Sequence, residues 1–194
     1  MQTEEQKQEG ISVEKEKKIK KISTIVMIVI IVIASLVTLD IILVTKSNVG
    51  PFLAIRTKVY DDGGTKEYYG LGYKVIKYNQ KVGRRDTVIG SWSLKYDTTP
   101  TNFTLEDLAF SIINDNTNHL GEFIRLTGTI SKVNKNNKTL TLTYKDDGGK
   151  YNLTVEAKVI SDTFKFNKNA PVSIIGVVSK YDNKTLTISN AFAE

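Results

Sequence analysis

The sequence predicts a mainly β protein behind one N-terminal transmembrane helix: a small antiparallel sheet, then a short helix and a five-stranded Greek-key barrel. Three observations carry that expectation. Ile22–Leu39 is a run of 18 residues without a formal charge. Asp-Asp-Gly-Gly occurs twice, at Asp61–Gly64 and Asp146–Gly149, each time between stretches rich in β-forming residues. A strand–turn–strand pattern in residues 128–143 returns in residues 176–189. The chain divides accordingly into a disordered basic tail (1–21), an anchor (22–44), a small β module (45–98), a linker with a helix (99–120) and the barrel (121–194).

The charge-free run would reach about 27 Å as a helix, close to the hydrocarbon thickness of a bilayer. On its amino side lie Lys15, Lys17, Lys18, Lys20 and Lys21 against Glu16, whereas the carboxyl side offers Lys46, then Arg56 and Lys58. This imbalance predicts a cytoplasmic N-terminus and an extracytoplasmic C-terminal region. A cleaved signal peptide is the competing reading. Its apolar core is shorter, about 7–15 residues, and ends at small residues, unlike Thr38-Leu39-Asp40-Ile41-Ile42. Residues 1–14 are polar and expected to be disordered. Lys15–Lys21 suits contact with anionic lipid. Asp40 admits two readings: an aspartate in the interfacial region just past the span, or one inside it that pairs with a partner's transmembrane helix.

Residues 46–194 hold 21 Lys and Arg against 15 Asp and Glu, so this part carries the chain's net charge of +6. A basic surface attracts anionic lipid, wall polymer or nucleic acid. The chain has no cysteine, which excludes disulfides, thiolate catalysis, cysteine metal ligands and a lipid-modified cysteine anchor. The abundance of Lys, Ile and Asn fits an AT-rich genome such as that of a low-GC Gram-positive bacterium.

In the β module, Phe52–Tyr60 and Glu67–Tyr78 read as strands around the first Asp-Gly turn, because such turns need positive φ. Thr87–Tyr96 is the third, after the polar loop 79–86, and Trp92 is the expected core anchor. Tyr60, Tyr68, Tyr69, Tyr73 and Tyr78 suit either a stacking surface or the half-buried face of a twisted sheet. Arg84 and Arg85 are candidates for holding an anion, or for pairing with Asp86. Next, Thr104 caps a helix with Asp107 at the third position. That helix buries Leu105, Leu108, Ala109, Ile112 and Ile113 and stops at Asn114-Asp115-Asn116.

The barrel strands follow from the repeat. Gly128–Val133 leads through a polar turn to Thr139–Thr143, and Gly176–Tyr181 leads to Thr185–Ser189. Tyr151–Ile160 stands between the two hairpins. Five strands so arranged suit the OB-fold, with Gly128 and Gly176 allowing sharp coiling. Residues 105–193 resemble the exported OB-fold modules of the tRNA-anticodon-binding-like group, through the short helix, the strand Ile124–Ile130 with Leu126-Thr127-Gly128, and Val172-Ser173-Ile174-Ile175-Gly176. The resemblance implies ancestry and shape, not tRNA binding. It departs at Ser161–Ala170, short and polar where many OB-folds place a helix.

Strand alternation turns Thr139, Thr141, Thr143 and Lys145 outward, with Asn152, Thr154, Glu156 and Lys158. That face offers no aromatic for base stacking, so nucleic acid is not the expected partner. His119 is the only histidine and reads as an exposed loop residue. Ser131-Lys132 and Ser179-Lys180 lie in strands, where neighbours point to opposite faces. No catalytic residue, cofactor site or metal site is expected, so an enzyme is not. The expected function is a non-catalytic binding or scaffold module of the cell envelope. The alternative is binding of a polyanion through Arg84, Arg85, Lys132, Lys135 and Lys180.

Overall fold

The computed structural model describes residues 4–46, 49–161 and 164–194, and of residues 4–13 the backbone. It forms two compact units, Met1–Ile55 and Arg56–Glu194.

The first unit is built on α1, Glu4–Lys46. Its apolar part has a mean hydropathy of 3.0 over the best 18-residue window, long and apolar enough to cross a membrane. The hydroxyls within it donate back along the helix, Ser35 to Ile31 O at 2.8 Å and Thr38 to Ala34 O at 2.8 Å. That satisfies them without water. The helix does not begin at the apolar run. Residues 4–21 are helical where disorder was expected; they are mostly helix-forming Glu, Gln and Lys, joined to an already nucleated helix. An i,i+4 pair, Glu14–Lys18 at 3.1 Å, lies on this stretch. At the other end Asp40 is 1% exposed. Its carboxylate accepts hydrogen bonds from Phe52 N and Leu53 N, both at 3.0 Å.

The second unit opens with a four-stranded antiparallel sheet in the order β1 (Arg56–Val59), β2 (Lys66–Tyr69), β3 (Lys74–Lys77), β4 (Thr87–Gly90). The stretch Glu67–Tyr78 is thus a hairpin, not one strand. The chain turns at Gly70–Tyr73, where Gly70 N donates to Tyr73 O at 2.9 Å and Gly72 takes a φ of +81°. A Cβ on Gly70 would lie 2.2 Å from the Tyr73 ring, so the ring closes over the turn. Trp92 is 55% exposed and is not a core anchor; its Nε1 donates to Gly70 O at 3.0 Å. The buried residues are instead Tyr73, Val75, Ile76 and Tyr78. Tyr60, Tyr96 and Tyr78 stack in series, with ring centroids 4.0 and 5.6 Å apart. The tyrosines therefore pack, as a half-buried sheet favours.

A strand absent from the sequence reading, β5 (Thr101–Thr104), pairs in parallel with the first half of β6 (Phe123–Asn134). Between them α2 (Leu105–Asn114) starts as expected: Thr104 accepts from Asp107 N at 3.1 Å and donates to the Asp107 carboxylate at 2.7 Å. The helix buries Leu105, Leu108, Ala109 and Ile112 in the barrel core.

The closed barrel comprises β6, β7 (Thr139–Lys145), β8 (Asn152–Val159), β10 (Thr185–Ala193) and β9 (Pro171–Asp182), in that spatial order, and β9 pairs back to β6. β8 and β10 run parallel and the other pairs antiparallel. That connectivity is a five-stranded Greek-key barrel of OB-fold type. Ile124, Leu126, Ile130, Leu140, Leu142, Val155, Ile174, Leu186 and Ile188 are fully buried. Each such side chain contributes about 1.5–3 kcal/mol by leaving water. In the third-to-fourth strand connection, Phe164 and Phe166 lie against the core cluster. The helix in that core, α2, comes from before the first barrel strand.

The sequence repeat is a structural one. A Cβ on Gly128 would meet Leu142 Cδ2 at 2.8 Å, and one on Gly176 would meet Ile188 Cγ2 at 2.5 Å. Both glycines let a large residue of the next strand fold over the backbone.

Candidate functional site

Pairing register, not chain distance, decides which exposed residues share a surface. Lys132 on β6 pairs with Thr141 on β7, Thr141 with Glu156 on β8, Glu156 with Thr187 on β10, and Thr187 with Lys180 on β9. One row therefore crosses all five strands with a lysine at each end. Lys132, Glu156 and Lys180 are exposed and the two threonines half-buried. Measured around the closed barrel the lysines lie about 19 Å apart, four strand spacings, so the row winds over the outside of the barrel. Beside this row run Thr143, Thr154 and Thr185, paired in turn. Lys158, also exposed, pairs with Thr139. This row offers hydroxyls between ammonium groups, with one carboxylate at its centre.

Two β-bulges hold the end lysines on this face. The ladder slips between Ile130 and Lys132, and again opposite Val178 and Lys180, leaving Ser131 and Ser179 without a paired residue. An extra residue breaks the alternation of sides. Each serine is therefore on the same side as its lysine, not opposite it as simple alternation requires. Ser131 Oγ donates to Thr141 O at 2.8 Å and lies 3.2 Å from Thr143 Oγ1. Ser179 Oγ repeats this with Thr187 O at 3.2 Å and Ser189 Oγ at 2.7 Å. Lys180 also meets Asp182 at 3.2 Å, an exposed pair that contributes little. Lys135 is exposed in the turn that follows β6.

Arg84 and Arg85 are not part of the row. Arg84 holds Asp86 through two bonds of 2.7 and 3.0 Å, and its guanidinium lies 4.2 Å from the Tyr78 ring centre and 5.7 Å from that of Phe123. Arg85 donates from Nε to Gln80 O at 2.9 Å and lies 5.1 Å from the Phe192 ring, while Asn190 Nδ2 donates to Arg85 O at 3.0 Å. Flat guanidinium groups stack well on aromatic faces. These arginines join the small sheet to the barrel.

Two polar clusters escaped the sequence reading. In the sheet, Glu67 and Lys74 are 3% and 6% exposed and meet at 2.7 Å. Glu67 also accepts from the Tyr60 and Tyr69 hydroxyls, and Lys74 donates to Leu94 O at 2.6 Å. Burial alone would raise the Glu67 carboxyl, but the bonds from Lys74, Tyr60 and Tyr69 prevail and hold it below the ordinary value. Burial would likewise lower Lys74, and the bond to Glu67 raises it instead. Nearby, the Asp62 carboxylate accepts from Thr65 N, Thr65 Oγ1 and Tyr96 OH at 2.9, 2.6 and 2.8 Å. Against the effect of its burial these bonds lower it. Asp62 thus closes the first Asp-Asp-Gly-Gly turn with its own side chain.

The second cluster corrects the reading of His119 as an exposed loop residue. Its side chain is 7% exposed, with Nδ1 2.6 Å from Glu122 Oε2 and Nε2 2.7 Å from Ser111 Oγ. The Phe103 ring stands edge-on at 5.1 Å. His119 takes a φ of +53°, which turns it under α2. The order serine, imidazole, carboxylate is that of a hydrolytic triad. Here, however, Ser111 sits within a helix, its Oγ also within 3.1 Å of Leu108 O. The chain of bonds ties α2 to the approach of β6.

Fold and surface together define a class: a protein with an N-terminal helix long and apolar enough to cross a membrane and an OB-type barrel ringed by hydroxyls and lysines. No protein-family model matches the chain. No curated protein matches it either. Among solved structures, it is similar to one described as "Structural mimicry for functional antagonism", at 12% identity and a TM-score of 0.34, over 73% of this chain and 87% of that one. It is also similar to a murine DNA-binding protein bound with double-stranded DNA, at 8% identity and a TM-score of 0.33, over 73% and 92% of the two chains. Likeness at this level carries no argument about ligand.

Proposed function

We propose that this chain is a membrane-tethered, non-catalytic binding module that holds an anionic polymer of the cell envelope on the outward face of its barrel. The row from Lys132 to Lys180 carries the reading. Two bulges of the same design keep an ammonium group at either end of a strip of hydroxyls, a pattern matched to spaced phosphates joined by hydroxyl-bearing units. Lys135 extends it past β6. The domain's net +6 adds long-range attraction. The lysine cluster before the span supports an N-terminus in the cytoplasm and a barrel outside it. The resemblance to the exported tRNA-anticodon-binding-like modules agrees with that location.

Nucleic acid suits the strip less well. The outward positions of β7 and β8 are threonine, lysine, asparagine and glutamate, with no ring on which a base would stack. The test is a titration of the full chain in zwitterionic nanodiscs with fluorescent poly(glycerol phosphate) and, in parallel, single-stranded DNA. Affinity for the first that falls with salt, and exceeds that for DNA, supports the proposal. Salt-independent binding, or none, removes it. Protease added to intact cells tests the orientation: it should digest the barrel, and protection of the barrel until lysis would reverse the topology.

A further inference from the structure

The segment after α1 folds back along the helix. Lys46 lies six residues past Asp40, which is about 9 Å further along the helix axis. Yet Phe52 N and Leu53 N are at 3.0 Å from the two carboxylate oxygens of Asp40. The chain has therefore come back to the level of the first residue after the charge-free run. The helix positions Val37, Asp40, Ile41 and Val44 share one face; Asp40 and Val44 are buried, at 1% and 2% exposure, and Val37 and Ile41 are half-buried. On the returning segment Pro51 is buried, while Val49, Phe52 and Ile55 are 68%, 56% and 66% exposed.

We infer that residues 49–55 form a hook that Asp40 clamps against the helix, and that Val49, Phe52 and Ile55 contact the lipid of the leaflet on that side. Two features of the molecule identify lipid as the occupant. Phe52 is level with the end of the span through its bond to Asp40, and Val49 and Ile55 lie within three residues of it, so the hook borders the span's apolar surface, where Leu39, Ile42 and Leu43 are 49%, 43% and 46% exposed. And the clamp removes the difficulty of placing a carboxylate there. An aspartate at that depth is costly unless its oxygens are bonded, and two backbone N–H groups bond them. Asp40 thus has its partner within its own chain, which accounts for the residue without a second transmembrane helix. The hook fixes the depth of the anchor as a snorkelling side chain does, from the backbone instead.

The inference rests on the membrane-anchor reading, and the experiment separates the two. In a Trp92→Phe background, a tryptophan at Phe52 (F52W) reports the hook and one at Ile30 (I30W) reports mid-span. The full chain is placed in vesicles of phosphatidylcholine brominated either near the headgroup end or near the terminus of the acyl chain. Quenching of F52W by the shallow bromines, and of I30W by the deep ones, is expected. Asp40→Ala should abolish the F52W quenching and leave I30W unchanged; Asp40→Asn, which keeps one acceptor oxygen, should reduce it less. If I30W is not quenched, the anchor reading fails. If I30W is quenched while F52W is open to aqueous acrylamide, the hook lies in water and the inference is wrong. Shielding of F52W from both quenchers overturns it too, because protein then covers the hook. Full quenching in Asp40→Ala refutes the clamp.

Discussion

Glu67 and Lys74 are a pair whose worth depends on keeping both partners. Each is almost fully buried; Glu67 accepts further hydrogen bonds from Tyr60 and Tyr69, and Lys74 donates one to Leu94 O. Removing one charge leaves the other without compensation in an apolar setting, so Lys74→Met should lower unfolding free energy by about 3–5 kcal/mol. Chemical denaturation of the chain in detergent measures it. The shifts set the pH window. The Glu67 carboxyl is held below its ordinary 4.5, so its contribution is whole above that pH and disappears as pH falls through the lowered value. Lys74 is raised above its ordinary 10.5, so its contribution is whole below that pH and disappears as pH climbs through the raised value. Glu67→Gln should flatten both limbs, because the Glu67 carboxylate is also the main cause that raises Lys74. Ser111 gives a second test at this scale. In a tie between α2 and β6 its hydroxyl has no call to react, so a fluorophosphonate probe should leave it unlabelled while His119→Ala lowers the melting temperature. Covalent labelling at Ser111 would contradict the non-catalytic reading.

Among the elements, the two hairpins are the same device used twice, glycine under a large side chain and then a bulged serine. Gly176→Ala places a methyl group 2.5 Å from Ile188 Cγ2 and 3.3 Å from Ala191 Cα. The overpacking should cost about 1–3 kcal/mol in urea unfolding, and a neutral result would mean the strands can separate there. Ser131→Ala removes the hydroxyl bonded to Thr141 O and should cost about 1 kcal/mol. The repeat was readable in the sequence because glycine, serine, lysine and alternating threonines recur in order. So was the Thr104 cap, which needs only neighbours in sequence. Features set by distant contacts were not. The Gly70–Tyr73 turn was missed because two glycines within a Tyr-rich run also fit a twisted strand. β5 is four residues long and pairs with residues 23 positions later, Thr101 opposite Ile124. The bulges displace Ser131 and Ser179 by a single residue, which no alternation pattern announces. Trp92 and His119 exchanged expected places, the large apolar ring outside and the polar one inside, because each follows a hydrogen bond rather than its hydropathy.

At the scale of the molecule, a span, a small sheet and a barrel are each specified by a different signal: uninterrupted apolar length, Asp-Gly turns, and a repeated hairpin. The candidate site was half readable. Lys132, Lys135 and Lys180 were named as polyanion candidates together with Arg84 and Arg85, but only the register of five strands puts Lys132 and Lys180 in one row, and only packing takes Arg84 and Arg85 out of it. The measurement that bears most directly on the account compares the unmodified chain with one carrying Lys132→Gln, Lys135→Gln and Lys180→Gln, both in zwitterionic nanodiscs, titrated with poly(glycerol phosphate) over a range of salt. The unmodified chain should show a slope of log affinity against log salt of about −2, as for three phosphates contacted on a flexible strand. The triple variant should bind on the order of tenfold or more weakly, a loss of about 1.4 kcal/mol, with most of that slope gone. Equal affinity and equal slope in the two chains would contradict the account.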